Sequence, residues 1–250
     1  MRTRGRFQGM LTIARFNWPL YGAALAVLTA SGIGIFLFTG LLKILAAIAF
    51  ACGTYFMIAS LGVSHLVYDR SDLYRWSWLV RALGGTAVRK ATLCHSGFDE
   101  TSTDLREKLG DVEWRIFDHY DAERMTELSI HRARALFPPR AGTLACSHDA
   151  WPLADESTDI VFALLAIHEL RAESERTAWF AEAKRCLRVG RRIVLVEHVR
   201  DIANFFAFGP GFLHFHSYAS WRRCWEHAGL RCVDHFDMTP FVKIFVLTAR

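Results

Sequence analysis

The sequence has 250 residues, of which 52% are hydrophobic, and its formal charge is only +5. This length allows one sizeable domain beside other segments, and the modest charge, which forms no basic stripe, argues against a nucleic-acid partner. The six cysteines form no C-x-x-C pair and no zinc spacing, which is typical of a reduced compartment rather than a disulfide framework.

Two long apolar stretches come first in the chain. Residues 16–42 and 44–68 carry no formal charge, and Lys43 lies between them. Each stretch is long enough to cross a hydrocarbon core of roughly 30 Å as a helix. We therefore predict a two-helix transmembrane hairpin within residues 1–68. The alternatives are a cleaved signal peptide and a buried helical hairpin of a soluble core.

Arginines flank this hairpin on both sides, against a single lysine in its short loop. By the positive-inside rule both termini are then cytoplasmic, which predicts a two-pass protein of the inner membrane with membrane lipid as a partner. Residues 69–87 are predicted to form an amphipathic connector along the membrane surface, because its apolar residues recur at helical spacing. The flanking arginines are Arg2, Arg4, Arg6, Arg15, Arg70, Arg75 and Arg81.

Residues 88–250 alternate short apolar runs with polar helical stretches. This pattern is typical of a parallel sheet with crossover helices. The predicted strands are 91–94, 113–117, 142–146, 158–165, 192–197, 231–236 and 242–248. The predicted helices are 101–109, 122–136, 173–186 and 218–228. A tight turn at Pro240 separates the last two strands, so we predict an α/β, seven-stranded Rossmann-like sheet whose last strand is antiparallel.

Two segments of this domain resemble a known family. Residues 149–162 read DAWPLADESTDIVF, and residues 182–193 read EAKRCLRVGRRI. The first segment is similar to the D-A-x-x-L-P-F-x-D-x-S-F-D-x-V signature of the class I S-adenosylmethionine-dependent methyltransferases. The other segment resembles the turn before the fifth strand of that family, and the pattern as a whole is nearest to the ubiquinone and menaquinone methyltransferases. The resemblance implies S-adenosylmethionine as the cofactor.

Cofactor-binding residues are expected at the carboxyl ends of the strands, where the ligand of an open parallel sheet lies. Asp118 ends the second predicted strand and is predicted to accept hydrogen bonds from the ribose hydroxyls. The resemblance implies that Asp149 accepts a bond from the adenine amino group, with Ala150 and Trp151 beside the ring. A turn or helix-capping role is the alternative for Asp118, and a turn role is the alternative for Asp149.

The glycine-rich turn of the family is altered in this chain. Of its three glycines only Gly97 remains, with Leu93 at the acidic position and His95 and Asp99 at the other two glycine positions. Glycine allows close approach of the backbone to a ligand, so we expect a reshaped pocket for the methionine end. Either Asp99 or Glu100 pairs with the amino group of S-adenosylmethionine, or Asp99 caps the helix that follows.

Histidine and glutamate residues follow two neighbouring strands at the same edge. His168 comes after the fourth predicted strand, and Glu197 and His198 end the fifth. Methyl transfer to a phenol, enol or carbon needs a base, so we predict a catalytic group of these three residues with His168 or His198 as the base. Imidazole and carboxylate also bind metals, but no H-x-x-x-H or H-E-x-x-H spacing supports such a site, and we predict none.

An aromatic segment follows the fifth strand. In the family an insertion at this place commonly forms the substrate lid, which here implies a lipophilic small-molecule substrate such as a quinone precursor, isoprenoid or lipid. The alternative is a loop that simply packs in the core. The predicted substrate-binding residues are Arg200, Asn204, Phe212, His214 and His216.

Together these features predict a membrane-anchored S-adenosylmethionine-dependent methyltransferase. One alternative is a different transfer chemistry of the same cofactor, with or without a metal. The other is a non-catalytic, membrane-tethered scaffold that has kept the fold.

Overall fold

An apolar helical hairpin precedes an α/β domain in the computed structural model, which describes residues 5–250. The predicted flanking residues Arg2 and Arg4 lie outside the described residues. The first three helices and the turn of π-helix that follows them are α1 (Gln8–Phe16), α2 (Trp18–Leu37), α3 (Gly40–His65) and Leu66–Arg70.

The helices α2 and α3 form the predicted apolar pair. Pro19 lies in the first turn of α2, where proline removes no helical hydrogen bond, and a two-residue link leads to Gly40 at φ +57°. Both helices are long and apolar enough to cross a membrane, and only 11% and 6% of their most apolar windows are buried. In a helical hairpin buried in the core of a soluble protein, most residues of these windows would be buried.

The helix α1 was not predicted as a separate element. It is tied to the end of α3, because the Asp69 carboxylate accepts hydrogen bonds from the backbone N–H groups of Gly9 (2.6 Å) and Met10 (3.0 Å). A Cβ atom at residue 9 would lie only 2.4 Å from the Cβ of Tyr68. Only glycine therefore allows this close approach of α1 to α3.

Seven strands form one sheet in the order β3-β2-β1-β4-β5-β7-β6. Strands β1 to β5 pair in parallel, and β7 pairs antiparallel with both β5 and β6. The predicted seven-stranded sheet with an antiparallel last strand is confirmed. The strands are β1 (Lys90–His95), β2 (Glu113–Asp118), β3 (Thr143–Ala145), β4 (Thr158–Leu164), β5 (Leu187–His198), β6 (Leu230–Thr239) and β7 (Val242–Ala249).

Helices and a connector cover the two faces of the sheet. On one face α7 and α9 bury Trp179, Phe180 and Trp221 against the strands. The remaining α-helices of the described chain are α4 (Leu79–Leu83), α5 (Ser102–Leu109), α6 (Leu128–Leu136), α7 (Glu173–Cys186), α8 (Ile202–Phe208) and α9 (Tyr218–His227). Two 3₁₀ segments follow β4 and α8, and they are Ile167–Glu169 and Gly209–His214.

The connector at residues 69–87 differs from its prediction. Only the short α4 is α-helical, and Leu73, Trp76 and Leu79 are at most 5% exposed because they pack on the second face of the sheet. The expectation that these side chains lie along a membrane surface was therefore wrong. An apolar sheet face has to be covered by another layer, and here the connector provides it together with α5.

Candidate active site

A cleft of about 630 Å³ lies at the carboxyl edge of the sheet. Its floor includes Ser96 after β1, Ala166 after β4 and His198 at the end of β5. The facing wall comes from α1, α2 and α3, with Phe16 and Tyr21 among its residues, and the segment Gly209–His214 forms a further side. A volume of this size is typical of small-molecule sites. The apolar helices thus contribute directly to the cleft.

The backbone is strained where β4 reaches the cleft. Leu165 has a φ of +51° and lines the cleft beside Ala166. Positive φ is rare for a bulky side chain, and such conformations persist mainly at functional sites, where the surrounding structure holds them in place. Here the N–H of Leu165 donates to the carbonyl oxygen of Val196, at 2.8 Å, on the neighbouring strand β5.

A fully buried carboxylate organises the turn after β4. Glu197 Oε1 accepts the backbone N–H groups of Ala166 (3.2 Å), Ile167 (2.9 Å) and His168 (3.2 Å). Glu197 Oε2 lies 2.7 Å from Nδ1 of His168. The side chain of Glu197 thus fixes both the turn and the imidazole orientation, and it leaves Nε2 of His168 on the side of Glu169.

The structure brings two histidines to Glu169. Its Oε1 lies 3.5 Å from Nε2 of His168 and 3.4 Å from Nε2 of His214. Burial disfavours the imidazolium of His168, but the carboxylates of Glu197 and Glu169 outweigh burial and raise the pKa of His168 to about 10. Burial acts to raise the pKa of Glu169, yet the two histidines hold that pKa well below its usual range.

His198 has a different environment. Its Nδ1 lies 2.9 Å from the carbonyl oxygen of Phe241, which fixes the proton on Nδ1, so Nε2 accepts the hydrogen bond from the Tyr68 hydroxyl at 2.9 Å. Burial lowers the pKa of His198 to about 4, and this imidazole is neutral at physiological pH. Tyr68 and His198 both line the cleft.

The two carboxylates of the altered turn after β1, Asp99 and Glu100, have different roles. Asp99 Oδ1 accepts the backbone N–H groups of Thr101 (3.2 Å) and Ser102 (2.9 Å) at the start of α5, which is the helix-capping arrangement. Glu100 lines the cleft instead, where the Tyr74 hydroxyl donates to its Oε2 at 2.5 Å. Of the two carboxylates, Glu100 is therefore the one placed to meet a ligand.

Two of the predicted cofactor residues meet behind this turn. The backbone N–H of Gly97 donates to Asp118 Oδ1 at 2.8 Å, and that of Tyr120 donates to the same oxygen at 3.0 Å. The guanidinium of Arg134 donates to Oδ2. Burial acts to raise the pKa of Asp118, but these bonds outweigh it and lower the pKa. The carboxylate that sequence reasoning gave to the ribose is thus already engaged by Arg134.

The other three predicted cofactor residues, which are consecutive in the chain, differ in their burial. Asp149 and Ala150 are solvent-exposed, and the Ser147 hydroxyl donates to Asp149. Trp151 is buried and stacks on His119 with 5.6 Å between the ring centroids. Their part in cofactor binding stays a prediction, and in this structure Trp151 packs in the core.

Most of the predicted substrate residues hold their own segment together. Arg200 donates to the carbonyl oxygens of Leu213 and Phe215, both at 2.7 Å. Asn204 is fully buried and donates to the carbonyl oxygens of Val199 (2.9 Å) and Phe241 (3.0 Å). These bonds to backbone carbonyls support the core-packing alternative for the two residues, although Oδ1 of Asn204 is buried without a hydrogen-bond partner among residues 5–250.

The remaining three substrate predictions differ among themselves. Phe212 packs edge-on against Phe205 with 5.2 Å between centroids. His216 is buried and accepts from the Arg176 guanidinium at 3.0 Å. His214 alone of the five predicted substrate residues lines the cleft. Sequence reasoning missed the α1 wall, Tyr68 as a cleft residue, and Glu127, which lies 3.6 Å from Nδ1 of His214.

Buried neutral histidines make the fold sensitive to acid. Burial lowers the pKa of His119 and His198 from 6.5 to about 4 and that of His216 to about 3, and it also lowers the pKa of His95. The unfolded chain then binds protons more readily, so stability is complete above about pH 6.5 and is lost as the pH falls towards 4. We expect about 2 kcal/mol of lost unfolding free energy per histidine at pH 5. Denaturant unfolding in detergent at pH 7.5 and at pH 5 measures this difference in unfolding free energy.

The variant His119→Asn provides the internal check. It removes one of these titrating groups, and we expect its stability to depend on pH less steeply than that of the parent chain. An equally steep dependence in this variant, or a stability that does not change between the two pH values, would contradict the assignment.

Comparison with known proteins identifies solved structures of similar fold. No family model and no curated protein matches the sequence. The chain is similar in structure to a SAM-dependent methyltransferase from Aquifex aeolicus, with 14% identity, a TM-score of 0.52, and 71% of this chain and 93% of that chain covered. A geranyl diphosphate methyltransferase in complex with SAM gives 14% identity and a TM-score of 0.52, with 77% and 90% covered.

The [4+2]-cyclase SpnF is about as similar, with 11% identity, a TM-score of 0.52, and 72% of this chain and 81% of that chain covered. A fold shared by methyltransferases and a cyclase does not fix the reaction, which has to be argued from the site. What the likeness shows is the architecture: this chain adopts the α/β fold of the class I S-adenosylmethionine-dependent methyltransferases.

Proposed function

We propose that this protein is a membrane-anchored methyltransferase that moves a methyl group from S-adenosylmethionine to oxygen or carbon of a lipophilic small molecule. One observation carries the proposal: the cleft at the carboxyl edge of a methyltransferase sheet is walled by two helices apolar enough to span a membrane. The similarity in fold to a methyltransferase named for geranyl diphosphate, which is an isoprenoid, supports a lipophilic acceptor.

The turn after β1 supports S-adenosylmethionine as the cofactor. Ser96 Oγ and Nε2 of His95 are buried without a hydrogen-bond partner among residues 5–250, while Nδ1 of His95 lies 3.5 Å from Asp118 Oδ1, and Ser96 lines the cleft. Unpartnered buried polar atoms mark a place where a ligand or water completes the bonding. Gly97, at φ +85°, forms the turn beside them, where a Cβ atom would lie only 2.9 Å from the ring of Tyr120. Polar groups of this kind fit the amino acid end of the cofactor.

Binding of the adenosine part of the cofactor depends on Arg134. Asp118 has the right chemistry for ribose hydroxyls, but its Oδ2 is bonded to the guanidinium of Arg134, which is 28% exposed and lies on α6. The cofactor would compete with this guanidinium for the carboxylate. Asp118 and Ser96 are the residues we assign to the cofactor, which supplies an electrophilic methyl group on sulfur.

Proton transfer is assigned to Tyr68 and His198. Both nitrogens of His168 face carboxylates, so that imidazole has no free lone pair, whereas Nε2 of His198 accepts from the cleft-lining Tyr68 hydroxyl. When the acceptor forms its bond to the methyl carbon and the carbon–sulfur bond breaks, the acceptor proton passes to Tyr68 and the Tyr68 proton to His198. Because its pKa is about 4, His198 accepts a proton only from an acidified acceptor.

Calorimetric titration of the full-length protein in detergent tests the cofactor. We expect binding of S-adenosylmethionine and S-adenosylhomocysteine, weakened about tenfold in Asp118→Asn because the ribose loses a charged acceptor. Arg134→Met is expected to bind more tightly, since the competing guanidinium is gone. Asp234→Asn, on the distant strand β6, serves as a control with unchanged affinity. No binding at millimolar ligand would overturn the proposal.

Transfer itself is measured with S-adenosylmethionine tritiated in the methyl group and a total membrane lipid extract as the acceptor source. We expect tritium in the organic phase, and about tenfold less from Tyr68→Phe, because a base of low pKa contributes modestly. Tyr218→Phe, a partly exposed tyrosine of α9, is the matched control. Equal transfer by Tyr68→Phe and the control would remove Tyr68 and His198 from the mechanism.

A further inference from the structure

Three ligand atoms converge in the cleft. One ring nitrogen each of His168 and His214 and a carboxylate oxygen of Glu169 all lie within 4.8 Å of one another, and Oε1 of Glu169 lies 3.5 Å from Nε2 of His168 and 3.4 Å from Nε2 of His214. Ligand atoms bound at about 2.0–2.2 Å to a single ion are separated by about 3 to 4.4 Å. The observed spacing therefore accommodates one ion with little movement of the side chains, once the ion has displaced the proton between His168 and Glu169, because a histidine binds a metal only through an unprotonated nitrogen.

The second ring nitrogen, Nδ1, of each of the two imidazoles faces another carboxylate. Nδ1 of His168 lies 2.7 Å from Glu197, and Nδ1 of His214 lies 3.6 Å from Glu127. Histidines that bind metals almost always direct their other ring nitrogen at a carboxylate, carbonyl or water, which fixes the tautomer and raises the basicity of the ligand. Both His168 and His214 show that arrangement, and Glu197 is itself immobilised by three backbone N–H groups.

The surroundings leave room for a further ligand. The side chains of His168 and Glu169 are each 10% exposed and that of His214 is 25% exposed, and all three line the same cleft. Three protein ligands leave coordination positions open, as catalytic metal sites require. Two imidazoles and one carboxylate suit zinc, manganese or iron better than magnesium or calcium, which prefer oxygen ligands alone.

We propose that His168, Glu169 and His214 bind one divalent transition-metal ion, and that an open position on this ion takes an oxygen atom of the acceptor. The ion lowers the pKa of that acceptor oxygen, which allows a weak base such as His198 to take its proton. The role towards the acceptor rests on the proposed methyl transfer, whereas binding of the ion does not.

Metal titration of the full-length protein tests the site without any cofactor. Protein in detergent is stripped with a chelator and titrated separately with Zn²⁺, Mn²⁺ and, without oxygen, Fe²⁺, and the bound metal is then measured by elemental analysis. We expect one equivalent of at least one of these ions. His214→Ala removes a partly exposed ligand of the segment Gly209–His214, and we expect it to lose affinity by more than about 100-fold.

Co²⁺ gives a spectroscopic check, because its visible absorption reports nitrogen and oxygen ligands directly. We expect this absorption in the parent chain and in His227→Ala, a histidine at the end of α9 that serves as the control. We expect none in Glu169→Ala or His214→Ala. Less than one equivalent of every ion, or equal affinity in His214→Ala and His227→Ala, would overturn the metal site. Metal binding without methyl transfer would instead overturn only the proposed function.

Discussion

Replacing Glu197 with glutamine is expected to lower methyl transfer and metal affinity by about 100-fold while leaving the protein folded. The amide oxygen still accepts the three backbone N–H groups of the turn after β4. The amide NH₂ group, however, then faces Nδ1 of His168, whose N–H group had donated a hydrogen bond to the carboxylate. The imidazole has to change tautomer, which places its proton on Nε2, where a metal would bind.

The alanine variant of Glu197 is expected to affect stability as well. It leaves three buried N–H groups and one imidazole without their acceptor, and unsatisfied buried groups cost about 1–3 kcal/mol each. We expect a loss of more than about 3 kcal/mol in unfolding free energy. Denaturant unfolding in detergent gives the stability, and the tritium transfer assay gives the activity.

Asp159→Asn is a matched control for both measurements. Asp159 is 2% exposed and accepts the backbone N–H groups of Arg89 and Lys90, both at 2.9 Å, at the amino end of β4. Its loss should therefore lower stability without changing methyl transfer. Normal transfer and metal affinity in Glu197→Gln would show that the orientation of His168 does not matter to the site.

The fold was predictable because its signals are local. Strand β4 is an apolar run buried at every residue, and the turn at Pro240 between β6 and β7 requires an antiparallel return. The position of the site followed from topology, since the carboxyl ends of neighbouring parallel strands meet at one edge. That rule alone places His168 and His198 on the same cleft.

The missing parts of the site depend on contacts distant in sequence. The α1 wall exists because Gly9 reaches Asp69, sixty residues away, and no local pattern encodes that pairing. The motif around Trp151 was similar to a cofactor loop, but its indole packs on Trp179 at 5.6 Å between centroids. Whether an aromatic side chain binds a ligand or packs in the core is decided by tertiary packing, which a single sequence does not report.

Charges on α8 are expected to stop access of a membrane-resident acceptor. The helix α8 lies against α3, where the Tyr55 hydroxyl donates to the carbonyl oxygen of Phe206 at 2.7 Å. Tyr55 lies ten residues before the end of α3 at His65, which is about 15 Å along the helix. If α3 spans the bilayer, α8 is therefore held against the membrane-spanning part of α3, and Phe208 at the end of α8 lines the cleft.

The outer face of α8 is suited to that position. Ile202 is 75% exposed and Phe206 is 58% exposed, and apolar side chains at this depth gain free energy from insertion between lipids. The double variant Ile202→Asp/Phe206→Asp removes this gain and adds two charges, each of which disfavours apolar surroundings. We expect transfer to lipid extract in nanodiscs to fall about 100-fold, as several kcal/mol of insertion free energy are lost.

Three measurements separate this effect from a damaged fold. Binding of S-adenosylmethionine should be unchanged, because neither residue lines the cleft, and the protein should still resist alkaline extraction from membranes through α2 and α3. The control Val189→Asp changes a residue that is 80% exposed at the amino end of β5, and it should transfer normally. Full transfer by the α8 variant would mean that the acceptor reaches His168 and Tyr68 from water, and the lipophilic acceptor would then lose its structural support.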